Sequence, residues 1–265
     1  MQRPFASLAP PLVFAHRGAS WHAPENTLEA FELAARLGAQ VLELDVHLSS
    51  DGAVVVSHDA TVDRMTDGQG SIAGLTLQAL RRLDAAHGFR TPSGANPFAG
   101  RGVRVPLLGE ALASFAHQGI NIDLKARNPQ LVAAVLQAVE RSGHRQVLLT
   151  SGDDLTMAML EAAKPHQALG LSRGQAKRAL WAAHLGQSLT SWAGRALQVP
   201  PALYGVPLLP RRAVRRLHGA GLSVHAWVVN DVHTAQRLVQ AGVDGIMTDD
   251  PGPMVAALGQ ASLGR

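Results

Sequence analysis

Short apolar runs alternate along this chain with longer stretches of helical spacing. Leu12–Ala15, Val41–Val46, Ile120–Leu124, Gln146–Leu149, Ala168–Leu171, Ala196–Val199, Ser223–Val229 and Gly245–Met247 have the length and composition of strands. Strands alternating with helices predict βα units around a parallel sheet. Eight of them in 265 residues give the expectation of a (β/α)8 barrel. An open doubly wound sheet would carry a Gly-rich phosphate turn after an early strand, and the sequence has none.

In "PENTLEAFELAARLG", Asn26 is read as the N-cap of the first helix, with Glu29 three residues on as its capping-box partner, or alternatively as a residue of the site. Ala30, Leu33, Ala34 and Leu37 share a face, and Gly38 supplies the stop. The rhythm fails between Asp59 and Pro106, a stretch rich in Gly, Thr, Asp, Pro and Asn with one helical turn or two near Leu77–Leu83. So long a connection is commonly functional, and it is read as an insertion at about 59–106, after the second βα region and over the barrel mouth. Its apolar content is too low for a core of its own, so a single domain over 1–265 is expected.

Composition narrows the class. The chain is 46% hydrophobic and 17% charged, which suits a soluble globular protein. No apolar run reaches the roughly 18 residues of a membrane span. Pro10 and Pro11 break the apolar stretch at Phe5–Ala15, and His16 follows at once, which speaks against a signal peptide. The lack of cysteine removes disulfides, thiolate catalysis and Cys-based zinc sites, and it fits a reducing, cytoplasmic setting. A net charge of +4 would suit an anionic partner: nucleic acid, anionic lipid or a phosphorylated small molecule. The tight group Arg211, Arg212, Arg215 and Arg216 reads as a solvated helix face. With 4% aromatics and no aromatic–basic stripe, nucleic acid is not the expected partner.

The candidate chemistry lies at strand ends. In "VLELDVHL", alternation turns Leu42, Leu44 and Val46 to one side and Glu43, Asp45 and His47 to the barrel axis. Two carboxylates in an enclosed space repel each other, and a divalent cation would relieve that; a simply wet polar face is the alternative. "INIDLK" adds Asn121, Asp123 and Lys125 on one face, read either as a further arm of the same site or as a buried Asp123–Lys125 ion pair. His16 and His58 each end a short apolar run beside a charged residue, Arg17 and Asp59. Two imidazoles at one rim can serve as general acid and general base.

Taken together, "AHRGAS…APENTLEAF", "LELDVHLSSDGAVVVSHDATVDRMTDGQG", "NIDLK", "HAWVVND" and "VDGIMTDDP" resemble the glycerophosphodiester phosphodiesterase family, in order from His16 to Pro251. The resemblance implies a TIM barrel that hydrolyses glycerophosphodiesters to glycerol 3-phosphate and an alcohol. It makes His16 and His58 the acid–base pair, and Arg17 and Lys125 phosphate contacts. Glu43, Asp45 and Asp123 become ligands of one divalent metal, Mg²⁺ or Ca²⁺, and Trp227 lines the substrate pocket. Many relatives carry Glu where this chain has Asp123, one methylene shorter. "NPFAGRGVRVP" and "LQVPPALYGVPLLP" resemble a subgroup with longer, lipid-type substrates, so lysophospholipase D-type hydrolysis is the alternative activity. A barrel that only binds phospholipid head groups is the non-enzymatic rival.

Overall fold

Each of the eight apolar runs forms a strand, and the strands close into a parallel barrel. The computed structural model describes residues 4–189 and 192–259, so the expected domain limits at 1 and 265 lie outside the described residues. In chain order the strands are β1 (Leu12–His16), β2 (Val41–Leu48), β3 (Val54–Val56), β4 (Gly119–Leu124), β5 (Val147–Thr150), β6 (Ala168–Gly170), β7 (Arg195–Val199), β8 (Ala202–Leu203), β9 (Val206–Pro207), β10 (Leu222–Ala226) and β11 (Gly245–Thr248). Parallel pairing runs β1-β11-β10-β7-β6-β5-β4-β2 and returns from β2 to β1.

Three short strands lie outside the eight expected. β3 folds back antiparallel on β2, with Val46 opposite Val56, after a turn in which the Ser49 N–H donates to the Ala53 carbonyl at 2.9 Å. β8 and β9 form a hairpin of two-residue strands. Runs of two or three residues are too short for periodicity to reveal. The strand expected at Ser223–Val229 stops at Ala226. Beyond it the Trp227 N–H bonds to the Val199 carbonyl at 3.1 Å and the Val229 N–H to the Met247 carbonyl at 2.9 Å.

The helices are α1 (Leu28–Arg36), α2 (Leu77–Leu80), α3 (Leu108–Ser114), α4 (Pro129–Ser142), α5 (Asp154–Ala163), α6 (Arg173–Leu185), α7 (Arg211–Gly219), α8 (Val232–Ala241) and α9 (Pro251–Gly259). The N-cap of α1 is Thr27, and the expectation of Asn26 is corrected. A cap residue needs extended backbone, which Thr27 has at φ −116° and ψ 159°. Asn26 instead has φ +58°, in the left-handed region. Thr27 Oγ1 accepts the Ala30 N–H at 3.3 Å, and the amide of Asn26 is left for another partner. Of the basic group on α7, Arg211, Arg212 and Arg215 are exposed as expected, whereas Arg216 is half-buried and donates to the Gln187 carbonyl.

Alternation sets what the barrel contains. Val13, Ala15, Leu42, Leu44, Val46, Ile120, Ile122 and Leu124 point outward into two apolar layers under the helices. Inside, Leu12, Phe14, Val41, Leu148, Ala196 and Met247 join Phe5 to fill the floor. Polar side chains occupy the next inward positions on the same strands, so the apolar floor fixes the register of the mouth. The insertion buries Val62, Ile72, Leu80, Ala85, Ala86, Val103 and Val105 against Val55 of β3. The low apolar content expected of it still supplies this satellite cluster, because β3 contributes part of the wall. Of the helix expected near Leu77–Leu83, only Leu77–Leu80 forms.

Candidate active site

β1 delivers His16 to the C-terminal end of the barrel, beside Glu43 in register. The turn that follows is tight. Arg17 has φ +56° and Gly18 φ +84°, and a Cβ on Gly18 would stand 2.7 Å from the Ala30 backbone carbon. A left-handed non-glycine residue costs on the order of 1–3 kcal/mol, so contacts must hold Arg17 in place. Its N–H donates to Glu43 Oε2 at 3.0 Å, and its Nη1 to Glu25 Oε1 at 3.1 Å. Its Nε lies 3.3 Å from Asp45 Oδ2.

His16 is held by the last strand. Its Nδ1 lies 2.7 Å from Asp249 Oδ1. Asp249 in turn accepts from Ser20 Oγ at 3.1 Å and Asn230 Nδ2 at 2.8 Å. Burial lowers the imidazole pKa, but the hydrogen bond to Asp249 and the charge of Glu43 outweigh it and leave it raised.

β2 and β4 place the carboxylates. Asp45 is opposite Asp123 in register, and Lys125 follows just past β4. The Lys125 ammonium lies between the two acids, with Nζ 2.8 Å from Asp45 Oδ1 and 2.6 Å from Asp123 Oδ2. The ion pair considered from sequence is therefore present, and it takes in a second acid. Asn26 holds the other side of Asp45: its Nδ2 donates to Oδ2 at 2.9 Å, and its Oδ1 accepts the Asp45 N–H at 3.2 Å. Burial would raise the Asp45 pKa, but Lys125 and Arg17 keep it lowered. Lys125 is raised, since Asp123 and Asp45 outweigh its own burial. Glu43 is 4% exposed and forms no ion pair among the described residues; burial and the Asp45 charge push it up to about 8.

His58 arrives from β3. Its carbonyl accepts from His47 Nε2 at 3.1 Å, and the Ser57 N–H donates to the Asp45 carbonyl at 2.9 Å, so β2 anchors the loop. Its Nδ1 lies 2.7 Å from Asp59 Oδ1. Both imidazoles are therefore tied at Nδ1 to an aspartate, which directs Nε2 as the nitrogen available for proton transfer.

His16 ends β1, Glu43 and Asp45 lie within β2, Asp123 is next to the last residue of β4, and Arg17, His58 and Lys125 follow the ends of β1, β3 and β4. Trp227 follows the end of β10 and is 41% exposed. Among the described residues no cluster of three or more His, Asp or Glu is already gathered to hold a metal ion. Periodicity alone does not find Asp249, Asn26 or Glu25. Asp249 sits in "TDDP", where a second aspartate stands beside it, and Asn26 carries the pattern of a helix cap.

The arrangement can be set beside known proteins. The model of the glycerophosphoryl diester phosphodiesterase family matches residues 16–253. A glycerophosphodiester phosphodiesterase of Caldanaerobacter subterraneus is 32% identical over 250 residues, covering 92% of this chain and 96% of the relative. A probable glycerophosphodiester phosphodiesterase 2 of Mycobacterium tuberculosis is 31% identical over 245 residues, covering 90% of this chain and 87% of its own. Among solved structures, an Oleispira antarctica phosphodiesterase in complex with the product sn-glycerol-3-phosphate is similar at TM-score 0.72 and 28% identity, covering 93% of this chain and 96% of that one. The M. tuberculosis glycerophosphoryl diester phosphodiesterase domain has the same fold, at TM-score 0.84 and 23% identity over 93% of this chain and 98% of that one. With a family model that runs from His16, the last residue of β1, past the end of β11, this chain belongs to the glycerophosphoryl diester phosphodiesterase family.

Proposed function

We propose that the chain hydrolyses glycerophosphodiesters to glycerol 3-phosphate and an alcohol, with His16 and His58 as the acid–base pair. The observation that carries the reading is the pairing of each imidazole with its own aspartate at 2.7 Å, together with the buried Glu43 and Asp45 of the same mouth. One imidazole takes a proton from the nucleophile and the other gives a proton to the departing alcohol, each through Nε2; the nucleophile is water, or the neighbouring glycerol hydroxyl forming a cyclic phosphate that water then opens to glycerol 3-phosphate. General acid–base catalysis contributes about 10²–10⁴-fold, or roughly 3–5 kcal/mol. A phosphodiester needs far more, and the remainder is electrostatic. Arg17 suits the phosphate because its planar fork can meet two oxygens at once. Lys125 adds a compact positive charge, and Trp227 forms part of the pocket wall.

Glu43, Asp45 and Asp123 fit a divalent cation by their chemistry. All are oxygen donors, as Mg²⁺ and Ca²⁺ require. Glu43 is buried beside a second carboxylate and forms no ion pair among the described residues, which is the electrostatic setting a cation relieves. When bound, the ion would neutralise charge on the phosphoryl oxygens.

Turnover of glycerophosphocholine, followed with and without a chelator, tests the reading. Wild type should release glycerol 3-phosphate and stop when divalent ions are removed, and His16→Ala and His58→Ala should each lose about 10²–10⁴-fold in kcat while keeping the wild-type circular dichroism. Undiminished turnover by either variant would reject the pair.

A further inference from the structure

We propose that Arg64, in the insertion, is a positioning residue that clamps the His58 side of the mouth to the Arg17 side. Among the described residues Arg64 forms no hydrogen bond with His58 or Arg17. It touches the carboxylates that hold them. Its Nε lies 2.5 Å from Asp59 Oδ2, and the other oxygen of that carboxylate meets His58 Nδ1 at 2.7 Å. Its Nη1 and Nη2 fork onto Glu25 Oε2 and Oε1 at 3.0 and 2.7 Å, and Glu25 Oε1 also accepts from Arg17 Nη1 at 3.1 Å. One planar guanidinium thus spans two acids, one leading to the imidazole and the other to the guanidinium assigned to phosphate. A lysine cannot do this, since its single ammonium lacks the fork.

The backbone of Arg64 is fixed by the insertion rather than by the barrel. A Cβ on Gly88 would fall 2.0 Å from the Arg64 carbonyl oxygen, and the Gly88 N–H donates to the Met65 carbonyl at 3.0 Å. Only glycine allows this approach. Val62 and Ile72 of the satellite core flank this segment in the chain, which gives the insertion a task in the reaction.

The inference rests on the acid–base reading of His58 and is tested apart from it. Kinetics on glycerophosphocholine are measured for R64A, R64K, G88A and H58A, with melting curves for each. R64A should lose about 10–100-fold in kcat with a smaller change in KM, as removal of outer partners does. R64K should recover little, and G88A should fall below wild type although it retains Arg64. Millimolar guanidinium should restore part of the R64A kcat and none of the H58A kcat, a response that a loss of folding would not give. Undiminished kcat in R64A, or a loss that follows melting and resists guanidinium, overturns the clamp. An active H58A overturns the acid–base reading instead, whatever R64A does.

Discussion

His16 and Asp249 stand 233 residues apart in sequence and 2.7 Å apart at the barrel mouth. The carboxylate orients the imidazole and, against burial, keeps its pKa raised. D249N removes the charge, so the His16 pKa should fall. The limb of the pH–rate profile that His16 governs should move to lower pH, and kcat should drop about 10–100-fold. An imidazole titration by NMR checks the first point directly. A profile unmoved in D249N would show that the dyad does not set the working pKa.

Asn26 joins two demands at one position, a left-handed backbone and two hydrogen bonds to Asp45. N26G meets the first and loses the second; N26A meets neither. Both should lose activity as Asp45 is released. N26A should be the less stable by about 1 kcal/mol, the part owed to backbone strain. Equal melting temperatures would remove strain from the account.

Lys125 neutralises Asp45, which is 1% exposed, and Asp123 beside it. K125M strands both acids and should cost roughly 3–5 kcal/mol. An ion that binds only the folded chain stabilises it by mass action. Mg²⁺ or Ca²⁺ should therefore raise the melting temperature of wild type, and raise that of K125M by more. A variant indifferent to both ions would argue against Glu43, Asp45 and Asp123 as ligands.

Asp244 carries a pH dependence well away from the mouth. Burial raises its pKa, but His218 Nε2 at 2.8 Å and the Val224 N–H at 2.8 Å outweigh this and hold it lowered. A folded pKa below the unfolded one gives stability that is present above about pH 4 and lost as pH falls through the folded value. D244N should be less stable than wild type by roughly 1–3 kcal/mol at neutral pH. The gap should close in acid. A gap independent of pH, measured by denaturant melts, would assign the effect to packing alone.

The barrel is legible in the sequence because each of its eight strands carries its own apolar run, and alternation on β2 and β4 puts Glu43, Asp45 and Asp123 inward. Alternation places Asp123 and Lys125 on one side, yet it cannot show that the ammonium also reaches Asp45, because that depends on the register between β2 and β4. Asn26 misleads because an asparagine ahead of a helix has the composition of a cap, and only its backbone torsion shows that Thr27 takes that place. Asp249 and Arg64 act through contacts that close across the fold or through the insertion, and no local pattern encodes such pairings.

β1 lies between β2 and β11. During synthesis on the ribosome His16, Glu43, Asp45 and His58 emerge before β11, and one edge of β1 has nothing to pair with until that strand leaves the exit tunnel. Until then Leu12–Ala15 present open backbone groups that a chaperone or another nascent chain can meet. Closure of the barrel mouth and burial of that hazard are thus one event, and a chain halted before Gly245 should be both inert and prone to aggregate.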